Sequence, residues 1–266
     1  MFWRLRRLKE EDFYVFNGPL TSGRQHPDSL AGSLMIGSIL MTLVLVIGNL
    51  FVFMDRITPA PLNVIILCIA FTVLGGIVIL LSFIYSFQAV YGTRQSMQYS
   101  LSIWISQLLF GHLLYWIFLY IVFDSEHFHH SIEISNFELR AFIIGTYIAG
   151  VITFIISFIY LVRKIEQGKY REGTPIEKRR HHLETNIDVY KGPAIRIAVL
   201  FVSVVVAVVR WLKVVEIETV SFMAVTTTLL IVMSAILPEQ IITWYCIKRF
   251  ESFNFEKDSE QSSGKD

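Results

Sequence analysis

The chain has 266 residues, 54% of them hydrophobic and only 17% charged, with a formal net charge of +1. A soluble domain carries about 25% charged residues, whereas the mean hydropathy here is +0.56. This composition excludes an ordinary water-soluble enzyme, a disordered chain and a secreted disulfide scaffold, and the balanced charge gives no basic excess for nucleic acid.

Residues 1–32 read as a basic N-terminal segment and linker. Phe2, Trp3, Leu5 and Leu8 alternate with Arg4, Arg6, Arg7 and Lys9. That mixture suits a short helix on an anionic leaflet, or a plain topogenic basic tail. Residues 17–32, with Gly, Pro, Ser and Asp, read as linker.

A helix needs about 20 apolar residues to cross a bilayer. Six such runs follow, at 33–54, 62–86, 101–123, 139–162, 193–212 and 220–247. The expected fold is all-α: a polytopic integral membrane bundle of six transmembrane helices over 33–247. Residues 248–266 form a polar tail that reads as disordered. Lys and Arg are distributed asymmetrically between the connections. The segments before span one and after spans two, four and six hold 18 of them, and the opposite connections hold only Arg56 and Lys213. Cytoplasmic loops carry the Lys/Arg excess, so both termini are expected in the cytosol. Cys68 and Cys246 then lie toward opposite faces and are not expected to bridge.

Small residues four apart, Ser33 with Gly37 and Gly145 with Ala149, predict close helix approach. Gly75 and Gly76, midway along the second span, suit either a hinge or a tight packing point. The connection 164–192 is the largest between spans. Thr174, Pro175 and Glu177 have capping-box spacing, and Ile176, Leu183, Ile187 and Tyr190 recur at helical intervals. A short amphipathic cytoplasmic helix is predicted there. Its basic run, Lys178 to Arg180, is accounted for by the charge bias without nucleic acid.

Ionisable groups inside a bilayer are costly and mark function by default. Glu239 follows Pro238 in the sixth span, about 12 Å deep at 1.5 Å per residue. Proline removes a helical hydrogen bond and frees the carbonyl near position 234. Pro238, Glu239 and Gln240 thus combine a kink, an acid and an amide. They suit a proton or cation site, a contact to a partner, or a structural kink whose acid pairs with Arg196 in the fifth span. His112, with Gln107 five residues earlier, suits an interhelical hydrogen bond or a proton relay with Glu239, although depth argues against direct contact. In the external loop, His127, His129 and His130 lie among carboxylates and have the chemistry of zinc ligands, or are simply solvated.

No phosphate-cradling loop, nucleophile elbow or HExxH pair occurs, and no cofactor is expected. The general build looks like that of small bacterial cytoplasmic-membrane proteins. The expected function is non-enzymatic: binding another membrane component, as toxin-immunity proteins or secretion and transport accessories do. The alternative is a small transporter or permease subunit using Glu239, and a membrane-embedded enzyme is a third. The expected partners are the lipid bilayer and another membrane protein, not nucleic acid.

Overall fold

A computed structural model of the chain describes residues 2–21, 25–54, 62–113, 115–116, 136–178, 180 and 215–254. Every regular element among them is helical, and no strand occurs among the described residues. In chain order they are α1 (Phe2–Leu5), a 3-10 turn (Glu10–Phe16), α2 (Gly18–Thr21), α3 (Pro27–Met54) and α4 (Leu62–Ile84). Next come α5 (Gln88–Tyr91), α6 (Gln95–Ser106) running on as a π-helix (Gln107–Leu113), α7 (Asn136–Glu166), α8 (Val215–Arg249) and a 3-10 turn (Glu251–Phe253). A helical turn also covers 175–178.

Three helices are long and apolar enough to cross a membrane, over Pro27–Leu50, Arg140–Glu166 and Ala224–Arg249. Within α4, Cys68–Ile84 is a shorter apolar stretch. The expected fifth span, 193–212, lies outside the described residues.

Two boundaries differ from the sequence reading. Residues 27–32, expected as linker, are the first turns of α3. Pro27 has no amide to leave unbonded at a helix start, and Asp28 sits by the positive end of the helix dipole. Leu30 and Leu34 are already buried there. At the other terminus, residues 248–254 are ordered, not tail: α8 runs to Arg249, and Phe253 is buried in the turn that follows.

α3 packs along α4 and α6, while α8 packs along α7 and against α6 and its π extension. Small residues set these approaches. A Cβ on Gly37 would lie 2.7 Å from Ile105 Cγ2, so the Ser33–Gly37 pair marks a real crossing. Among the described residues nothing lies within 4 Å of a Cβ on Gly145, and the close approach in α7 is at Gly150, whose Cβ would lie 2.9 Å from Leu230 Cδ2. Gly75 packs against Leu45 and Met41 within an unbroken α4, so it is a contact point and not a hinge. Between α3 and α4, Asn49 Nδ2 donates to Thr72 Oγ1 (3.0 Å) and Cys68 Sγ donates to Asn49 Oδ1 (3.3 Å). Cys68 and Cys246 are both free. The outer faces are apolar: Ile148, Val151 and Ile155 of α7 and Ile66, Val73 and Leu80 of α4 stand exposed. An apolar face of this extent belongs against lipid or another protein, not water.

The N-terminal segment closes one end of the bundle. Leu5, Phe13 and Phe16 are fully buried in one cluster with Ile165 of α7 and Ile242 and Cys246 of α8. Arg249 binds its backbone, with Nη1 donating to Leu5 O (2.7 Å) and Nη2 to Arg6 O and Leu8 O (both 2.9 Å). The end of α7 lies in the same layer. Gly168 takes a left-handed φ of 66°, Gly168 N donates to Ile165 O and Lys169 N to Lys164 O, the double closure of a Schellman motif. The chain then brings Tyr170 O to Val15 N (3.0 Å) and stacks the Tyr170 ring on Phe16. Gln98 of α6 donates to Pro27 O, and Tyr91 OH donates to Asp28, so the starts of α3 and α6 share this end too. Among the described residues, every Lys and Arg except Arg140 lies at this end.

Candidate functional site

The polar site is built on two helix irregularities that face each other. Pro238 is inside α8 and offers no amide to Ser234 O. Across from it, α6 widens into the π-helix that begins at Gln107. Such single-turn widenings inside a helix are frequent at functional positions. Gln107 Nε2 donates to Met233 O (3.2 Å), one turn before the proline, and to Gln240 Oε1 (2.9 Å) just after it. Gln240 Nε2 in turn reaches Ser106 Oγ at 3.3 Å. One amide therefore bonds the carbonyl next to the one the proline frees and grips the neighbouring helix.

Glu239 sits beside this network but faces another way. Its Oε1 accepts from Arg180 Nη2 at 2.6 Å, an ion pair with 22% of the arginine and 45% of the glutamate side chain exposed. One alternative from the sequence paired Glu239 with Arg196, which lies outside the described residues. The partner observed comes from the connection after α7. Its position follows from the local structure there. Thr174 Oγ1 accepts from Glu177 N (3.4 Å), as the capping box requires, while Glu177 Oε2 accepts from Gly173 N (3.2 Å), one residue earlier than expected. That start turns the chain back over the bundle and brings Arg180 to Glu239. The Arg180 guanidinium lies 5.7 Å from the centre of the Phe16 ring. Tyr170, in the same connection, has its phenol pKa raised above the ordinary value, first by burial and then by the negative charge of Glu239, with Arg180 opposing.

His112 is not brought to Glu239. Its Nδ1 lies 3.0 Å from Gln107 O, and a carbonyl only accepts, so Nδ1 carries the proton. Its ring packs 6.0 Å from Tyr147, and Trp116 Nε1 donates to Tyr147 OH (3.0 Å). Among the described residues, the links from His112 toward Glu239 are a backbone carbonyl and two amide side chains, which do not shuttle protons. A cavity of about 30 Å³, room for about one water, lies at the closed end against Gln25, Gln98 and Tyr99, and Glu239 does not line it. No group of three His, Cys, Asp or Glu occurs among the described residues, and His127, His129 and His130 lie outside them.

Sequence reasoning missed a second charged pair. Asp12 is only 5% exposed, and its Oδ1 accepts from both Arg171 Nε and Nη2 at 2.7 Å, while Oδ2 accepts from Lys9 N at 2.9 Å. An acid within a strongly basic segment was a signal in itself, since it interrupts the topogenic pattern without need. Compared with known protein families, with characterised proteins and with solved structures, the chain matches none.

Proposed function

We propose that the protein is a six-span bacterial cytoplasmic-membrane protein, with both termini in the cytosol, that acts without catalysis by binding another membrane component. The immunity and secretion- or transport-accessory types are the nearest kinds. One observation carries the reading. Polar groups of the described spans are engaged within the chain: Glu239 with Arg180 of the connection after α7 at 2.6 Å, and Gln107 with Gln240 at 2.9 Å. Groups that hold helices together leave the exposed apolar faces of α4, α6 and α7 as the surfaces offered to a partner. The closed end carries the cations, which supports placing it in the cytosol. A cysteine at Lys178 is therefore expected to react with a charged thiol reagent only from the cytosolic side.

The functional test is a photo-reactive side chain in place of Trp104 or Phe110, both exposed. In the native cell it is expected to give one discrete adduct with another membrane polypeptide. Adducts to lipid alone, together with robust solute flux by the purified chain in liposomes, would sink the proposal.

A transporter is the second reading, favoured by the π-helix lying against the proline turn. Disturbed backbone at membrane depth is tolerated only where protein buries it or a cavity lines it, and transporters place such turns at substrate sites. That reading requires Glu239→Gln to abolish flux while the chain remains folded.

A further inference from the structure

Four aromatic residues at the closed end are each followed, four positions on, by a cation over their ring. In one pair, Tyr245 with Arg249, the cation is taken up by the backbone of Leu5, Arg6 and Leu8, and three pairs remain. Arg7 Cζ lies 3.5 Å from the centre of the Trp3 ring, Lys164 Nζ 4.2 Å from that of Tyr160, and Lys248 Nζ 4.2 Å from that of Trp244. The pairs stand on three different elements, α1, α7 and α8. All border one buried layer, because Leu5, Leu161 and Ile242 belong to the same cluster. Trp3 and Tyr160 are 62% and 59% exposed, which is unusual for rings of that size unless they face something other than water.

The spacing fits a bilayer. From Tyr160 back to Arg140 there is no charged residue, and those 20 residues span about 30 Å, the thickness of the hydrocarbon core. Tyr160 therefore marks one edge of the core and Arg140 the other. The cation is rooted one helical turn further out, about 6 Å along the axis, and lies 3.5–4.2 Å from the ring centre, which sets it on the headgroup side of that edge, in a zone about 5–7 Å deep on each side. Aromatic rings favour the boundary and cations the phosphates beyond it. Resting on the reading that these helices cross a membrane, we propose that the Trp3/Arg7, Tyr160/Lys164 and Trp244/Lys248 pairs form a belt that binds anionic phospholipid headgroups. The ring seats against the acyl-glycerol region, and the Arg or Lys donates to the phosphate. The belt holds the closed end in the headgroup zone, with Glu239, five residues inward of Trp244, about 7 Å below it.

The full chain, reconstituted in vesicles of phosphatidylcholine with phosphatidylglycerol, is extracted gently, and its retained lipids are counted by native mass spectrometry. Wild type is expected to retain phosphatidylglycerol preferentially and to lose that preference in about 0.5 M salt, where the screening length falls below about 5 Å. Each engaged cation contributes roughly fivefold, so the triple Arg7→Gln, Lys164→Gln, Lys248→Gln is expected to cut the preference at least roughly fivefold. The charge-matched triple Arg94→Gln, Lys169→Gln, Lys178→Gln is expected to keep most of it. Equal losses in the two triples, or equal retention of both lipids by wild type, would overturn the belt while leaving the membrane reading intact. Release of the wild-type chain from membranes by alkaline carbonate would overturn that reading instead.

Discussion

Replacing Arg180 and Glu239 by Gln, singly and together, measures what their ion pair contributes. Two unit charges about 4 Å apart attract by about 4 kcal/mol at an effective dielectric of 20. The pair is not fully enclosed, since Glu239 keeps 45% of its side-chain surface open and Arg180 22%. Solvent screening and the cost of desolvation leave a coupling of about 1–2 kcal/mol. Each single substitution strands one ion, whereas the double strands neither. Arg180 makes further contacts, and a double-mutant cycle removes their share. The assay is thermal unfolding of the full chain in mild detergent, where about 2–4 °C corresponds to each kcal/mol in a chain of this size. The double variant is expected to melt higher than the sum of the single losses allows, by about that coupling. Additivity of the two singles within about 0.5 kcal/mol would refute the pairing.

Gly150→Leu is expected to destabilise by about 1–3 kcal/mol through overpacking against Leu230 and Ser234, while Gly145→Leu, which meets none of the described residues, is expected to leave the melting temperature nearly unchanged. Asp12→Asn removes the charge that Arg171 binds and is expected to loosen the N-terminal segment. Trypsin should then cut at Arg6 and Arg7 several times faster, and an unchanged rate would count against the clasp. Tyr91 has its pKa raised to about 12, first by burial and then by its bond to Asp28. Its neutral form is the one the fold favours, so its stabilisation is complete below about pH 10 and declines as pH rises toward 12. Across that window the gap in melting temperature between wild type and Tyr91→Phe should shrink, and a gap independent of pH would contradict this.

Helix content and the main apolar runs were legible in the sequence because both depend on residues close together along the chain. So was the capping of the turn at Pro175, where Thr174 and Glu177 are three positions apart. What escaped was pairing over distance. Nothing local says that Arg180, in a basic run explained by topology, reaches Glu239 fifty-nine positions later, or that Arg171 seeks out Asp12. The start of α3 was missed because Pro27, Asp28 and Ser29 carry loop-like composition, and their helical role shows only through the burial of Leu30 and Leu34. The π-helix at Gln107 has no residue signature of its own. It is visible through what it permits, a glutamine bridging to the proline turn of α8. The small-residue rule succeeded at Gly37 and failed at Gly145 for one reason: spacing identifies candidate crossings, but only the neighbouring helix decides which face it meets.

The grip of Arg249 on Leu5 O joins residues 244 positions apart. A ribosome delivers the first partner long before the second. Until α8 emerges, Leu5, Phe13 and Phe16 have no finished surface to enter, and these apolar groups must wait uncovered. Docking is then a closing step of biogenesis, available only to a polypeptide translated past Arg249, and a product terminated before it would present these uncovered apolar groups to chaperones and proteases as the mark of an unfinished protein.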